Sequence, residues 1–74
     1  MPDKFLKLVH AILGMKKLEG FYQKDLARKL RISKPLLSQY LRGDFEIPTD
    51  VRDKIIRILE IEKAIEKMGL RFND

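Results

Sequence analysis

Large apolar residues recur every three or four positions along most of this chain, and glycine or proline interrupts the pattern at a few points. That spacing predicts a set of short helices separated by turns. Phe5, Leu8, Val9, Ile12 and Met15 predict a first helix from Asp3 to about Leu18, with these side chains turned inward. Asp3 is its expected N-cap, and Lys16 and Lys17 suit the negative end of the helix dipole. Gly20 is the natural stop, since it enters the left-handed region without strain. Gly14 lies inside the run and weakens it. His10, in the same helix, reads as a surface or partly packed side chain. A second helix is expected from Tyr22 or Gln23, with Phe21 and Leu26 spaced to staple its start and Asp25 supplying negative charge in its first turn. Leu26, Ala27 and Leu30 give it a narrow apolar face, and Ala27 stands where a neighbouring helix would come close. Arg31 and Ile32 then form a turn, with Ile32 as a buried plug.

The third run, Lys34 to Arg42, has Ser33 as its expected N-cap and Pro35 in its first turn, where a missing N–H is tolerated. At about 100° per residue, with Lys34 at zero, Ser38, Arg42, Pro35 and Gln39 fall between roughly 40° and 140°. Leu36, Tyr40, Leu37 and Leu41 fall between about 200° and 340°. One arc therefore packs, and the other offers two cations, an amide and a hydroxyl, groups able to donate to phosphates and to base edges of a DNA major groove. Gly43 ends this helix, and a linker runs on to Pro48, with Phe45 and Ile47 expected as its anchors.

Thr49 is the expected cap of the last helix, with Asp50 and Asp53 in its first turn. No Pro or Gly interrupts from Val51 until Gly69, so a helix of roughly 20 residues would span about 30 Å. Val51, Ile55, Ile58 and Leu59 can face the core. Two arrangements fit the C-terminal residues. Ile58, Ile61, Ile65, Met68 and Phe72 could form the seam of a continuous, paired helix. Alternatively the helix breaks near Glu60 and its second half folds back on the first helix. Asp50–Lys54 and Asp53–Arg57 have the spacing of solvated ion pairs. The expected fold is all-α, a single domain over residues 1–74 with four to five helices.

Charge sharpens this picture. Residues 23–43 carry Lys24, Arg28, Lys29, Arg31, Lys34 and Arg42 against Asp25 alone, whereas residues 44–74 are net acidic. The overall charge of +5 therefore concentrates on the second and third helices, as expected of a polyanion binder. The chain has no Cys and one His, so no disulfide framework, metal centre or catalytic relay is expected. No nucleophile–base pair or phosphate loop is visible, which argues against an enzyme, a small-molecule substrate or a cofactor. No segment has the length of a membrane span and no signal-peptide pattern is seen, so a cytoplasmic protein is expected.

Gln23 to Gly43 resembles the helix-turn-helix of the lambda-repressor-like class, the phage repressor and Cro type. The matching positions are Gln23, Leu26-Ala27, Leu30, Ile32-Ser33, Leu37, Tyr40 and Gly43, with Pro48 before the next helix. The match covers about a third of the chain at motif level, and the helix order agrees over nearly all of it. The resemblance implies a helix-turn-helix at about 23–42 and binding of double-stranded DNA as a homodimer, in a small transcription regulator, a repressor first of all. It implies that Gln23 meets a phosphate and braces the recognition helix. Lys34, Pro35, Ser38 and Gln39 would face the major groove, with Ser33 at its edge, and Lys24 and Arg42 would reach phosphates. Three departures stand out. Arg31 takes the turn position where Gly is favoured, Tyr22 replaces a small hydroxyl cap, and the linker carries Asp44 and Glu46 where relatives are often basic. Two other uses remain open: a protein-interaction module that holds an acidic partner and recruits through the C-terminal seam, and the DNA-binding end of a larger regulator.

Overall fold

The structure, a computed structural model, describes residues 4–68, apart from the side chains of Glu62, Ile65, Lys67 and Met68. Five helices and no strand occur in this span: α1 Lys4–Lys17, α2 Gln23–Leu30, α3 Lys34–Arg42, α4 Thr49–Ile58 and α5 Ile61–Met68. The expected Asp3 cap, the Gly69 stop and Phe72 of the seam lie outside the described residues. Among those residues no helix is long and apolar enough to cross a membrane.

One core unites the helices. Phe5, Leu8, Val9 and Ile12 of α1 meet Leu26, Ala27 and Leu30 of α2, Leu37 and Leu41 of α3, Ile55 of α4, and Leu59, Ile61 and Ala64. α2 packs against both α3 and α4, and α1 against α3 and α5. Ala27 is buried, as a close helix approach requires. Full burial of a side chain such as Leu37 or Ile55 contributes about 1.5–3 kcal/mol. Arg52 stacks over the Phe5 ring, 4.4 Å from its centroid, closing the core at the start of α1.

The first three helices end in the same way. Past α1, Gly20 N–H donates to Lys17 O (3.1 Å) and Phe21 N–H to Lys16 O (3.0 Å). Past α2, Arg31 N–H donates to Arg28 O (3.1 Å) and Ile32 N–H to Ala27 O (3.1 Å). Past α3, Gly43 N–H donates to Tyr40 O (3.0 Å) and Asp44 N–H to Gln39 O (3.0 Å). Each is a Schellman pair built on a left-handed residue. The pivots are Gly20 at φ +88°, Arg31 at φ +59° and Gly43 at φ +84°.

The last segment breaks. Leu59 and Glu60 form a turn, with Glu60 in the left-handed region at φ +51°. Glu60 O then accepts Ala64 N–H (3.0 Å), opening α5 against α1. The reason lies in the apolar residues: reversal lets Leu59, Ile61 and Ala64 all reach the core. The seam of a continuous paired helix is thereby lost, because Ile61 is buried within its own domain and Ile58 packs against that core.

Other expectations need correction. Met15 is 44 % exposed, since it stands at the edge of the α1 stripe, over an open groove between α1 and α5. Phe45 is 52 % exposed, and only Ile47 anchors the linker, itself half-buried like the plug Ile32. Thr49 is the first helical residue of α4 rather than its cap. Pro48 stands at the cap position and leaves the end without a side-chain bond, and Asp53 falls in the second turn. Asp50–Lys54 and Asp53–Arg57 do not close. The ion pairs among the described residues are Asp25–Arg28, Arg42–Asp44 and Glu60–Lys63.

Candidate nucleic-acid interface

The presentation of α3 is set by its two ends. Ser33 accepts Leu36 N–H on its Oγ (3.2 Å), satisfying one donor of the first turn, and Pro35 occupies that turn without losing a helical bond. At the start of α2, Asp25 Oδ2 accepts Tyr22 N–H (2.8 Å), the return bond of a capping box, while the Tyr22 side chain caps no first-turn N–H. Phe21 packs on the core beside this start, as a staple onto Leu26 requires. Leu37 and Leu41 are buried, with Leu36 and Tyr40 half-buried, which fixes the rotation of α3.

That rotation leaves Lys34, Pro35 and Arg42 exposed and Ser38 and Gln39 half-buried. Gln23, the first residue of α2, donates from Nε2 to Ser38 Oγ at 2.8 Å. A side chain at the start of one helix thus braces the outward edge of the next. Lys24 lies with Nζ 5.9 Å from the Tyr22 ring centroid, near enough for cation–π attraction. Arg42 is engaged at home: its Nε and Nη2 both donate to Asp44 Oδ2, each at 3.1 Å.

An open groove of about 600 Å³ runs between α1 and the starts of α2 and α3. Gln23, Lys24, Lys34 and Ser38 line it together, while Ser33, Pro35, Gln39 and Arg42 lie outside it. α1 adds His10 and Lys17, and no carboxylate lines the groove. The α1–α5 groove differs, since Glu19, Glu60 and Glu66 offset Lys16 and Lys63 there. Of the two, only the first has the electrostatics of an anion site. The share taken by α1 goes beyond α2 and α3. Its signal in the sequence is that His10, Leu13, Gly14 and Lys17 recur at helical spacing, away from the core stripe.

His10 also holds the frame. Its Nε2 donates to Leu41 O at 2.7 Å, so Nε2 carries the proton. The acceptor is one of the carbonyls that the end of α3 leaves without a helical partner. α3 is therefore tied to α2 through Ser38 and to α1 through Leu41. Comparison of the chain with family models, with curated proteins and with solved structures gives no match.

Proposed function

We propose that this chain is a small transcription regulator, in the simplest case a repressor, that binds double-stranded DNA sequence-specifically. In this reading the helices form a lambda-repressor-like domain, α3 enters the major groove, and two copies bind a near-palindromic site. The observation that carries the reading is the Gln23–Ser38 bond. It puts the start of α2, where helix dipole and free N–H groups favour a phosphate, on the same face as the outward edge of α3. The carboxylate-free groove beside that bond supplies the counter-charge.

The roles follow from chemistry. Lys24 neutralises a phosphate at the groove, and Gln23 donates to one while steadying Ser38. Gln39 offers the amide suited to an adenine edge, and Lys34 a donor suited to guanine. Arg42 reaches a phosphate only by leaving Asp44, so its contribution is the difference between two ion pairs. Phosphate contacts give salt-dependent affinity, and base contacts give sequence choice.

The interaction-module reading loses one support, because Ile61 of the seam is buried. Selection of bound sites from a random duplex pool tests the proposal. Enrichment of a near-palindrome, with half-sites about one DNA turn apart, is the expected result. No enrichment, together with no duplex binding at low salt, would overturn it in favour of a protein partner.

A further inference from the structure

Gly14 has no internal explanation. Glycine is expected where φ must be positive or where a neighbour leaves no room for a Cβ. The positive-φ glycines among the described residues are Gly20 and Gly43, whereas Gly14 is an ordinary residue inside α1. A Cβ built on Gly14 meets no atom within 4 Å. Glycine is nevertheless the poorest helix former after proline, so the position weakens α1 without easing anything inside the domain. What Gly14 does have is a place in the wall of the cationic groove, one turn before Lys17. A long side chain there would stand in the groove.

We propose that α1 is a third DNA-contacting element, in which Gly14 admits the sugar–phosphate backbone and Lys17 pairs with a phosphate seated beside it. This rests on the DNA reading above and extends the contact surface beyond α2 and α3. The occupant is a chain of phosphates rather than one small anion for two reasons. Lys17, Lys24 and Lys34 reach the groove from three different helices. The groove is also continuous with the outward edge of α3, since Lys34 and Ser38 belong to both. A DNA strand lying along α3 has only to continue in order to pass Gly14.

Fluorescence-anisotropy titration of the full chain against a random duplex, over a range of salt, tests this. The variants are Gly14→Ala, Gly14→Gln, Lys17→Gln and Lys54→Gln, with urea unfolding of each as the check on folding. Lys54 is an exposed cation on α4, outside the groove. Gly14→Ala and Gly14→Gln are both expected to be at least as stable as the parent, because each is a better helix former. Gly14→Ala should bind within about threefold of the parent, and Gly14→Gln should lose about tenfold or more through exclusion of the backbone. Lys17→Gln should reduce the slope of log affinity against log salt by about 0.9, with Lys54→Gln leaving it unchanged. Parent-like binding by Gly14→Gln, or equal slopes for Lys17→Gln and Lys54→Gln, would overturn the inference and leave the DNA reading standing. Failure of the parent chain to bind any duplex would overturn the DNA reading, and this inference with it.

Discussion

Replacing Arg31 with glycine should stabilise the protein. The three Schellman turns share one hydrogen-bond pattern, and two of them pivot on glycine while the α2–α3 turn pivots on arginine at φ +59°, ψ +39°. A left-handed L-residue carries a penalty of roughly 1–2 kcal/mol. Glycine removes it but makes the unfolded chain freer, which offsets about 0.4–1 kcal/mol. The Arg31 side chain is exposed, so little packing is lost. The net gain is about 0–1.6 kcal/mol, centred near 0.8, and at about 4–8 °C per kcal/mol for a domain of this size Tm should rise by roughly 3–6 °C at that centre. Thermal unfolding followed by circular dichroism, with urea titration alongside, measures it. Arg31→Ala is the control, since it removes the charge and keeps the backbone penalty, and it should stay near the parent. Gly43→Ala should show the converse, a net loss of the same size, because φ stays at +84° while the stiffer unfolded chain offsets part of the penalty and the new Cβ sits in ordinary contact with Leu6 Cδ1 at 3.6 Å. A glycine variant less stable than the parent would refute this reasoning. An alanine variant as stable as the glycine one would move the cause from backbone to charge.

Gln39→Ala should cost about 1–3 kcal/mol on the selected site and relax one base position, read by competition with single-base variants of that site. An unchanged base preference would remove Gln39 from the readers. Asp44→Asn should free Arg42, and because the pair is exposed the gain in affinity for random duplex is at most about fivefold, or about 1 kcal/mol, and should vanish at high salt. A salt-independent gain would mean that Asp44 acts through structure instead. Leu37→Ala should cost about 2–5 kcal/mol, since that side chain is fully buried beneath the presented face. Set against roughly 0.05–0.15 kcal/mol of total stability per residue, or about 4–11 kcal/mol for the 74-residue chain, this is a large share, visible as a fall in the urea midpoint and in Tm.

The parts of this fold legible in the sequence are those settled within a turn or two of chain. Ser33, Gly20 and Gly43 announce helix ends because capping is local chemistry. The stripe from Phe5 to Ile12 announces a core face because helical geometry relates those residues directly. Asp25 is legible as a first-turn charge, though not as the acceptor of Tyr22 N–H. The misreadings depend on distant partners. Met15 fits the stripe, but its burial depends on how closely α5 approaches α1, which no local pattern states. Phe45 has the hydrophobicity of an anchor without a surface to meet. Thr49 has the chemistry of a cap, yet the backbone begins α4 one residue earlier than that role needs. The α4–α5 break is only one of two open arrangements in the sequence because Glu60 is a common helix residue. What turns the chain there is the gain from burying Leu59, Ile61 and Ala64 together. The cationic groove is half legible: its α2 and α3 lysines stand out as a charge excess, and its α1 side emerges only when three helices meet.

The ties that hold α3 are mostly not made by the side chains it displays. Ser33 caps it, Gly43 closes it, His10 grips the Leu41 carbonyl, and Leu37 and Leu41 seat it. Ser38 is the one member of the outward set that carries part of the frame, through Gln23. Lys34, Pro35 and Gln39 are thus free to vary with little penalty to folding. Mutation can rewrite the surface that α3 presents while the scaffold beneath it persists, so one ancestral domain could give rise to descendants with different binding preferences and nearly equal melting points.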